Sequence, residues 1–332
     1  MTLGTEDTRS QITIGLNAVI VSVIDQQPNV LLVQNKEETS SASASNASDQ
    51  FFPTDNQYDV LPFGPFYPAQ HPTLESGLRS WVGEQTNQEI GYVEQLYTFG
   101  NAGRDPREQG GGPRVISVGY LALVQDKNPT AREEGLWRDW YRYFPWEDWR
   151  EGRPEILDRD ILPALKNWIE DADSNSQKKE RKERAAITFG LGETPWNDEL
   201  VLERFELLYE AAMVTEAQID TVDSKKLGIP MALDHRRILA TAIGRLRGKI
   251  KYRPVVFELM PPTFTLLQLQ RVVEALSGSR LHKQNFRRLI EKKGLVEATG
   301  RIETQIRGRP AAQFRFRREV LIERQALGVR QN

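Results

Sequence analysis

The chain has 332 residues, 39% of them hydrophobic and 27% charged, and no cysteine. These figures suit two or three globular domains and exclude disulfides and thiolate metal sites. The net charge of −2 hides an asymmetry: residues 251–332 hold 17 Lys and Arg against 7 Asp and Glu, a net of +10, and the first 250 hold 27 against 39, a net of −12.

A basic end on an acidic body suggests a polyanion-binding module joined to something else, with an incidental basic surface as the alternative. The start, MTLGTEDTRSQ, lacks the basic-then-apolar order of a signal peptide. The apolar run Ala18–Ile24 is far short of a membrane span. A soluble cytoplasmic protein without a membrane partner is expected.

Residues 12–37 read as two strands rich in Val, Ile and Leu around a polar turn at Asp25–Asn29. The Ser/Ala/Asn tract that follows has nothing to bury, so a mobile loop is expected over about 36–57. LPFGPFYP, residues 61–68, is a turn-rich loop. In TLESGLRSWVGEQTN, residues 73–87, Thr73 is a helix N-cap, and Leu74, Leu78, Trp81, Val82 and Gln85 share one helical face. Strands are expected at 92–100 and 115–124, flanking a polar loop rich in Gly and Arg.

Four of the seven tryptophans fall within 137–149, a pattern that favours a packing layer over a ligand cage. Residues 170–186 are charged and read as a linker or solvated helix. Two amphipathic helices follow. One carries Val201, Phe205, Leu208 and Ala212 on a stripe, the other Leu239, Ala242, Ile243, Leu246 and Ile250.

Near the C-terminus, residues 264–278 form a helix that is capped at Thr265 and stopped at Gly278. A second helix, residues 281–294, turns Phe286, Leu289 and Ile290 inward and Lys283, Arg287 and Glu291 outward, and stops at Gly294. Two short helices around a tight turn make a helix-turn-helix. The alternation of Phe314 and Phe316 with Arg315 and Arg317 then predicts a hairpin, or wing.

The wing tip, Ile306–Gln313, carries Arg-Gly-Arg-Pro, slim enough for an A·T-rich minor groove. Lys283, Gln284, Asn285 and Arg287 are the candidate base readers. Arg288, Arg301, Arg307 and Arg309 are candidate phosphate or minor-groove contacts. A winged helix used only for protein contacts is the alternative.

The N-terminal order of strand, turn, strand, LPFG loop, helix, strand, polar loop and strand resembles the Nudix fold. The Nudix motif, G-x5-E-x7-R-E-U-x-E-E-x-G-U with U a bulky apolar residue, places glutamates on one helix face to hold divalent cations against a pyrophosphate. Aligned to it, SWVGEQTNQ puts Ser80 at the arginine, Trp81 at the next glutamate, Glu84 at a retained glutamate, Gln85 at its neighbour and Asn87 at the glycine. Pro72 stands where the first glutamate belongs, and Glu75 is out of register. One carboxylate holds Mg²⁺ poorly, so hydrolysis is not expected. A nucleotide pocket lined by cations and aromatics is expected instead. Arg79, Arg104, Arg107 and Arg114 are candidates for phosphates, Phe63, Phe66 and Tyr67 for a base, and Glu84 is a further candidate.

Residues 233–252, 264–276, 281–290 and 307–316 closely resemble the C-terminal portion of the Nudix-related transcriptional regulators called NrtR. The N-terminal segment is similar to the NadQ type of such regulators. The likeness covers most of residues 10–150 and 230–320. It implies an α+β protein with a short tail (1–10), a Nudix-like mixed-sheet α/β/α domain (11–170) and a linker with a helical insertion (171–230). A helix closing the Nudix-like domain (231–252) and a winged helix-turn-helix (253–325) follow. It also implies a homodimeric repressor on palindromic double-stranded operator DNA near NAD-biosynthesis genes. The effector would be an adenine nucleotide (ATP, NAD or ADP-ribose), with no cofactor required. An active Nudix pyrophosphohydrolase with a DNA-binding tail is the alternative.

Overall fold

The computed structural model describes residues 12–33, 58–102, 108, 114–125, 136–217, 227–303, 310–317 and 319. The expected N-terminal tail and the 36–57 loop lie essentially outside them, as do Arg104, Arg107, Arg307 and Arg309. Strands β1 (Ile12–Ile24) and β2 (Gln27–Leu32) form a hairpin whose turn is only Asp25 and Gln26, at φ 49° and 65°. Two central residues at positive φ match the right-handed twist of the flanking strands. Asn29, expected in the turn, therefore already belongs to β2.

Strand β3 (Phe63–Pro65) pairs antiparallel with β1, whereas β5 (Arg114–Leu123) runs parallel to it. With β4 (Tyr92–Phe99) and β6 (Leu136–Asp139) the order is β4-β5-β1-β2-β6. β1 is central and covered on both faces, which is why its apolar residues run without alternation. On one face Leu16, Ala18, Ile20, Val118 and Ala122 meet Leu78 and Val82 of α1 (Leu74–Thr86), a helix started by a Thr73–Ser76 capping box.

The opposite face carries Val19, Val21, Val30, Leu32 and Leu121. It packs against Trp140, Phe144 and Trp146 and against several helices. Trp140 and Trp146 are fully buried, so this aromatic run is a packing layer. Helix α2 (Leu162–Glu170) leads to α3 (Asn175–Phe189), which is capped by Ser174 and stopped by Gly190. The charged stretch at 170–186 is thus largely helical. Helix α4 (Val201–Glu210) buries Val201, Phe205 and Leu208, but Ala212 lies beyond its end at φ 55° and is off the stripe. Helix α5 (His235–Tyr252) buries Leu239, Ala242, Ile243 and Leu246 and leaves Ile250 half-buried.

The C-terminal part is a winged helix in outline, with two helices and a three-stranded sheet. Helix α6 (Leu266–Ser277), with its Thr265–Gln268 capping box, ends at Gly278, φ 72°. Helix α7 (Lys283–Lys292) ends before Gly294, φ 58°. Strands β7 (Phe264–Thr265), β8 (Val296–Glu303) and β9 (Ala311–Phe316) make a sheet in the order β7-β9-β8. Helix α6 packs on β1, β2 and α5, so this unit rests on the first sheet.

A buried ionic cluster sits at that junction. Glu147 receives Arg204 of α4 at 2.5 and 2.9 Å and Arg247 of α5 at 2.6 Å, all three side chains fully buried. Arg247 Nε also donates to Leu276 O at 3.1 Å, at the end of α6. Tyr141 Oη donates to Ala275 O and Trp149 N to Gly278 O, at 2.8 and 2.7 Å. A Cβ at Gly278 would meet Glu147 O at 2.4 Å, so positive φ and close approach both require glycine there. Glu147→Gln strips the anion from two buried guanidiniums. Breaking buried pairs in this way costs about 3–5 kcal/mol. A urea titration should show that loss, and an unchanged midpoint would mean that carbonyls alone hold the arginines.

Candidate functional site

Two surfaces hold the expected functional residues. The first surrounds α1. Trp81, aligned by sequence with a motif glutamate, donates from Nε1 to Pro65 O at 2.9 Å. Its ring lies against Gly64, where a Cβ would come within 2.2 Å of it. Gln85, aligned with another motif glutamate, closes a two-way bond with the backbone of Phe63: Phe63 N donates to Oε1 at 3.0 Å, and Nε2 donates to Phe63 O at 2.7 Å. Both residues fasten α1 to β3. The neutral amide suits this role because it donates and accepts at once, which a carboxylate cannot do. Glu84 is exposed and accepts from Ser80 Oγ at 2.8 Å. Among the described residues no group of three His, Cys, Asp or Glu is arranged to hold a metal ion.

The candidate nucleotide contacts divide. Phe66 and Tyr67 are half-buried and share a cluster with His71; Tyr67 and His71 in turn lie 6.2 and 6.4 Å from the Trp81 ring. Tyr67 N donates to His71 Nδ1 at 3.1 Å, and burial pushes the Tyr67 phenol pKa up. Phe63 is corrected: only 2% exposed, it packs edge-on to His235 at 4.9 Å within the core and presents no open face to a base.

Arg79 directs its donors to Glu75, at 2.8 and 2.9 Å, and to the carbonyls of Ile90 and Gly91, tying α1 to the approach of β4. Arg114 donates to Gly100 O at 2.5 Å and so braces the ends of the 101–113 segment. Of the expected pocket, the structure brings together Phe66 and Tyr67, with Trp81 and His71 as neighbours that residue type alone did not single out.

The second surface is the outer side of α7. Phe286 and Ile290 are buried, and Lys283, Gln284, Asn285, Arg287 and Arg288 are all exposed. Leu289, expected inward, is 47% exposed. With about 3.6 residues per turn, the direction opposite Phe286 and Ile290 falls on Arg288. Gln284 lies one turn before it, Asn285, Glu291 and Lys292 lie to either side, and Arg287 and Leu289 lie on the flanks. That arrangement puts Arg288 at the centre of the exposed face rather than at its edge. Arg301 is exposed on β8.

The turn before α7 is pinned by Glu274, which was not anticipated. Its buried carboxylate accepts from Gln270 Nε2 at 2.8 Å, Leu281 N at 3.0 Å, Arg271 at 3.1 Å and Arg280 at 3.2 Å. Burial works against its charge, but these donors outweigh burial and hold its pKa below the ordinary carboxylate value. Arg280 also reaches Glu151 at 2.5 Å and Arg150 O at 3.2 Å. The start of α7 is therefore set by the body of the protein.

Comparison with known proteins supports this architecture. Residues 256–316 match the family model described as the NrtR DNA-binding winged helix domain. Over 91 residues the chain is 41% identical to the ADPR responsive transcriptional repressor NtrR of Acinetobacter baylyi, covering 27% of this chain and 36% of that one. The chain thus spans about a third of the curated relative it matches. NrtR of Shewanella oneidensis, solved with a 27mer DNA, is similar in fold over 92% of this chain and 94% of that one, with a TM-score of 0.52 at 22% identity. The same protein solved as "Crystal structure of Shewanella oneidensis NrtR" gives 0.50 at 22% identity. The fold is a Nudix-like mixed-sheet α/β domain followed by a C-terminal winged helix.

The α1 geometry makes a direct prediction. Gln85→Ala removes both of these bonds to the backbone of Phe63, a loss of about 1–3 kcal/mol. Hydrogen exchange should show faster opening at Phe63, and unchanged protection there would show that Gln85 does not brace β3.

Proposed function

We propose that this chain is a DNA-binding transcriptional repressor of the NrtR type whose Nudix-like domain senses an adenine nucleotide and does not hydrolyse it. The observation that carries the reading is the match of residues 256–316 to an NrtR winged helix, together with the exposed face of Gln284, Asn285, Arg287, Arg288 and Lys292 on α7. The A. baylyi relative is named ADPR responsive, so ADP-ribose is the first effector to test, ahead of ATP and NAD. A homodimer on a palindromic operator, and NAD-biosynthesis genes of the NadQ type as targets, complete the reading. Both rest on the resemblance of the sequence.

The non-enzymatic part rests on α1. Positions that would carry Mg²⁺ ligands hold an indole and an amide, each bonded to the backbone of β3 or the residues beside it. An indole offers no oxygen, and the amide oxygen of Gln85 is neutral and taken by Phe63 N, so neither replaces a carboxylate ligand of Mg²⁺.

The switch is a linkage. A ligand that binds DNA-competent and DNA-incompetent forms unequally shifts DNA affinity, and DNA shifts ligand affinity by the same factor. Helix α5 is the proposed transmitter. At its start His235 Nδ1 accepts from Leu61 N at 3.1 Å, beside the nucleotide-facing module. Arg247, about 18 Å further along the helix, bonds to the end of α6.

Fluorescence anisotropy tests this at fixed salt, with a labelled duplex from the promoter of de novo NAD genes titrated with and without ADP-ribose, ATP and NAD. Tight binding shifted by one nucleotide is expected. Binding no better than to scrambled DNA in every condition would overturn the regulator reading, and Mg²⁺-dependent release of AMP from ADP-ribose would overturn the non-enzymatic one. In the same assay Gln284→Ala and Arg288→Ala should each lower discrimination by about 1–3 kcal/mol. Arg309→Ala should weaken operator and scrambled DNA together.

A further inference from the structure

We propose that Glu291 selects a base: its carboxylate accepts a hydrogen bond from the amino group of a cytosine in the major groove. The proposal deepens the DNA-binding reading above and rests on it.

Glu291 is the single acid of the helix Lys283–Lys292 and is exposed on its outward half. It stands four residues after Arg287 and three after Arg288, spacings at which helix ion pairs form. Among the described residues, however, its carboxylate makes no ion pair. Three other acids of the winged helix differ, whereas Glu258, like Glu291, has no ion pair among the described residues. Glu274 is held by Arg271 and Arg280, Glu297 by Arg315 at 2.5 Å, and Glu303 takes a bond from Gln313 at 2.9 Å. Glu291 is therefore a carboxylate without an ion pair among the described residues, in the surface that would meet DNA.

That placement has two consequences. DNA carries one phosphate charge per about 1.7 Å of axis, so a carboxylate aimed at it lowers affinity for every sequence alike. The groove offsets this only where it presents a donor. Guanine shows N7 and O6 and thymine O4, all acceptors that repel a carboxylate; cytosine shows the N4 amino donor. Adenine offers an amino group as well, but beside its N7 acceptor, which a carboxylate cannot satisfy. Glu291 thus penalises wrong bases while the neighbouring Arg288 and Gln284 supply attraction, and an interface gains specificity by such repulsion.

The test uses the full chain and a randomised double-stranded DNA library. Wild type, Glu291→Gln and Glu291→Ala each select from the library, and the selected motif and its single-base variants are then measured by anisotropy. Wild type should prefer cytosine at one position of each half-site, by about tenfold. Glu291→Ala should flatten that position and raise affinity for unselected DNA. Glu291→Gln should move the preference toward adenine, whose N6 and N7 suit an amide. If wild type selects a motif but both variants keep its base profile with only a uniform gain in affinity, Glu291 is merely a repulsive charge and the proposal fails. If wild type selects no motif, the DNA-binding reading itself fails, and this one with it.

Discussion

Glu147, with two arginines folded onto it, is the constraint on which the arrangement of the two modules depends. Two guanidiniums and one carboxylate, all fully buried, leave an excess positive charge in the interior. Burying charge is costly unless the remaining donors are matched. Here the match comes from backbone oxygens: Thr188 O and Asn197 O for Arg204, and Asp198 O, Glu147 O and Leu276 O for Arg247. Leu276 lies in the last turn of α6, where unpaired carbonyls and the helix dipole both favour a cation. One cluster therefore joins the 145–147 turn, the ends of α3 and α6, and helices α4 and α5. It ties the winged helix to the sheet through directed bonds as well as through apolar packing.

Around this cluster the segment 147–153 works as a strap. Arg150 pairs with Asp148 and reaches back to Gln26 O and Gln27, at the β1–β2 turn. Trp149 N and Arg150 O bond to Gly278 and Arg280 at the turn of the winged helix. At the far side Phe257 stacks on Phe316 at 4.2 Å, so the residues after α5 also hold the base of the wing. Helix α7 is thus positioned from several sides by the body. A change in the N-terminal module has a mechanical route to it, because packed elements shift between discrete arrangements rather than deforming smoothly.

Helix α1 shows how the side chains aligned to motif glutamates serve the packing. The amphipathic face, the cap at Thr73 and the approach to β3 all persist, and Trp81 and Gln85 bind the backbone of the neighbouring loop. Such bonds fix β3 against α1. In the proposed reading that fixity matters, because a preorganised surface binds a ligand with less ordering cost.

The sequence by itself determined what depends on local preference and period. Capping at Thr73 and Thr265, the stops at Gly278 and Gly294, the central run of β1 and the basic face before Gly294 follow from neighbours within a few residues. Pattern also named most exposed residues of α7, because burial of Phe286 and Ile290 fixes where the rest point. Tertiary structure decided what depends on distant partners. The role of Glu147 rests on residues 57 and 100 positions away, Phe63 proved to be core through His235, and Leu289 proved to face outward. Gln85 reads as a lost ligand in the motif and becomes a brace only when β3 lies beside it. Periodicity records which side of an element is apolar, whereas the partner of a buried polar group is set by how the elements come together, and that information is not local to the chain.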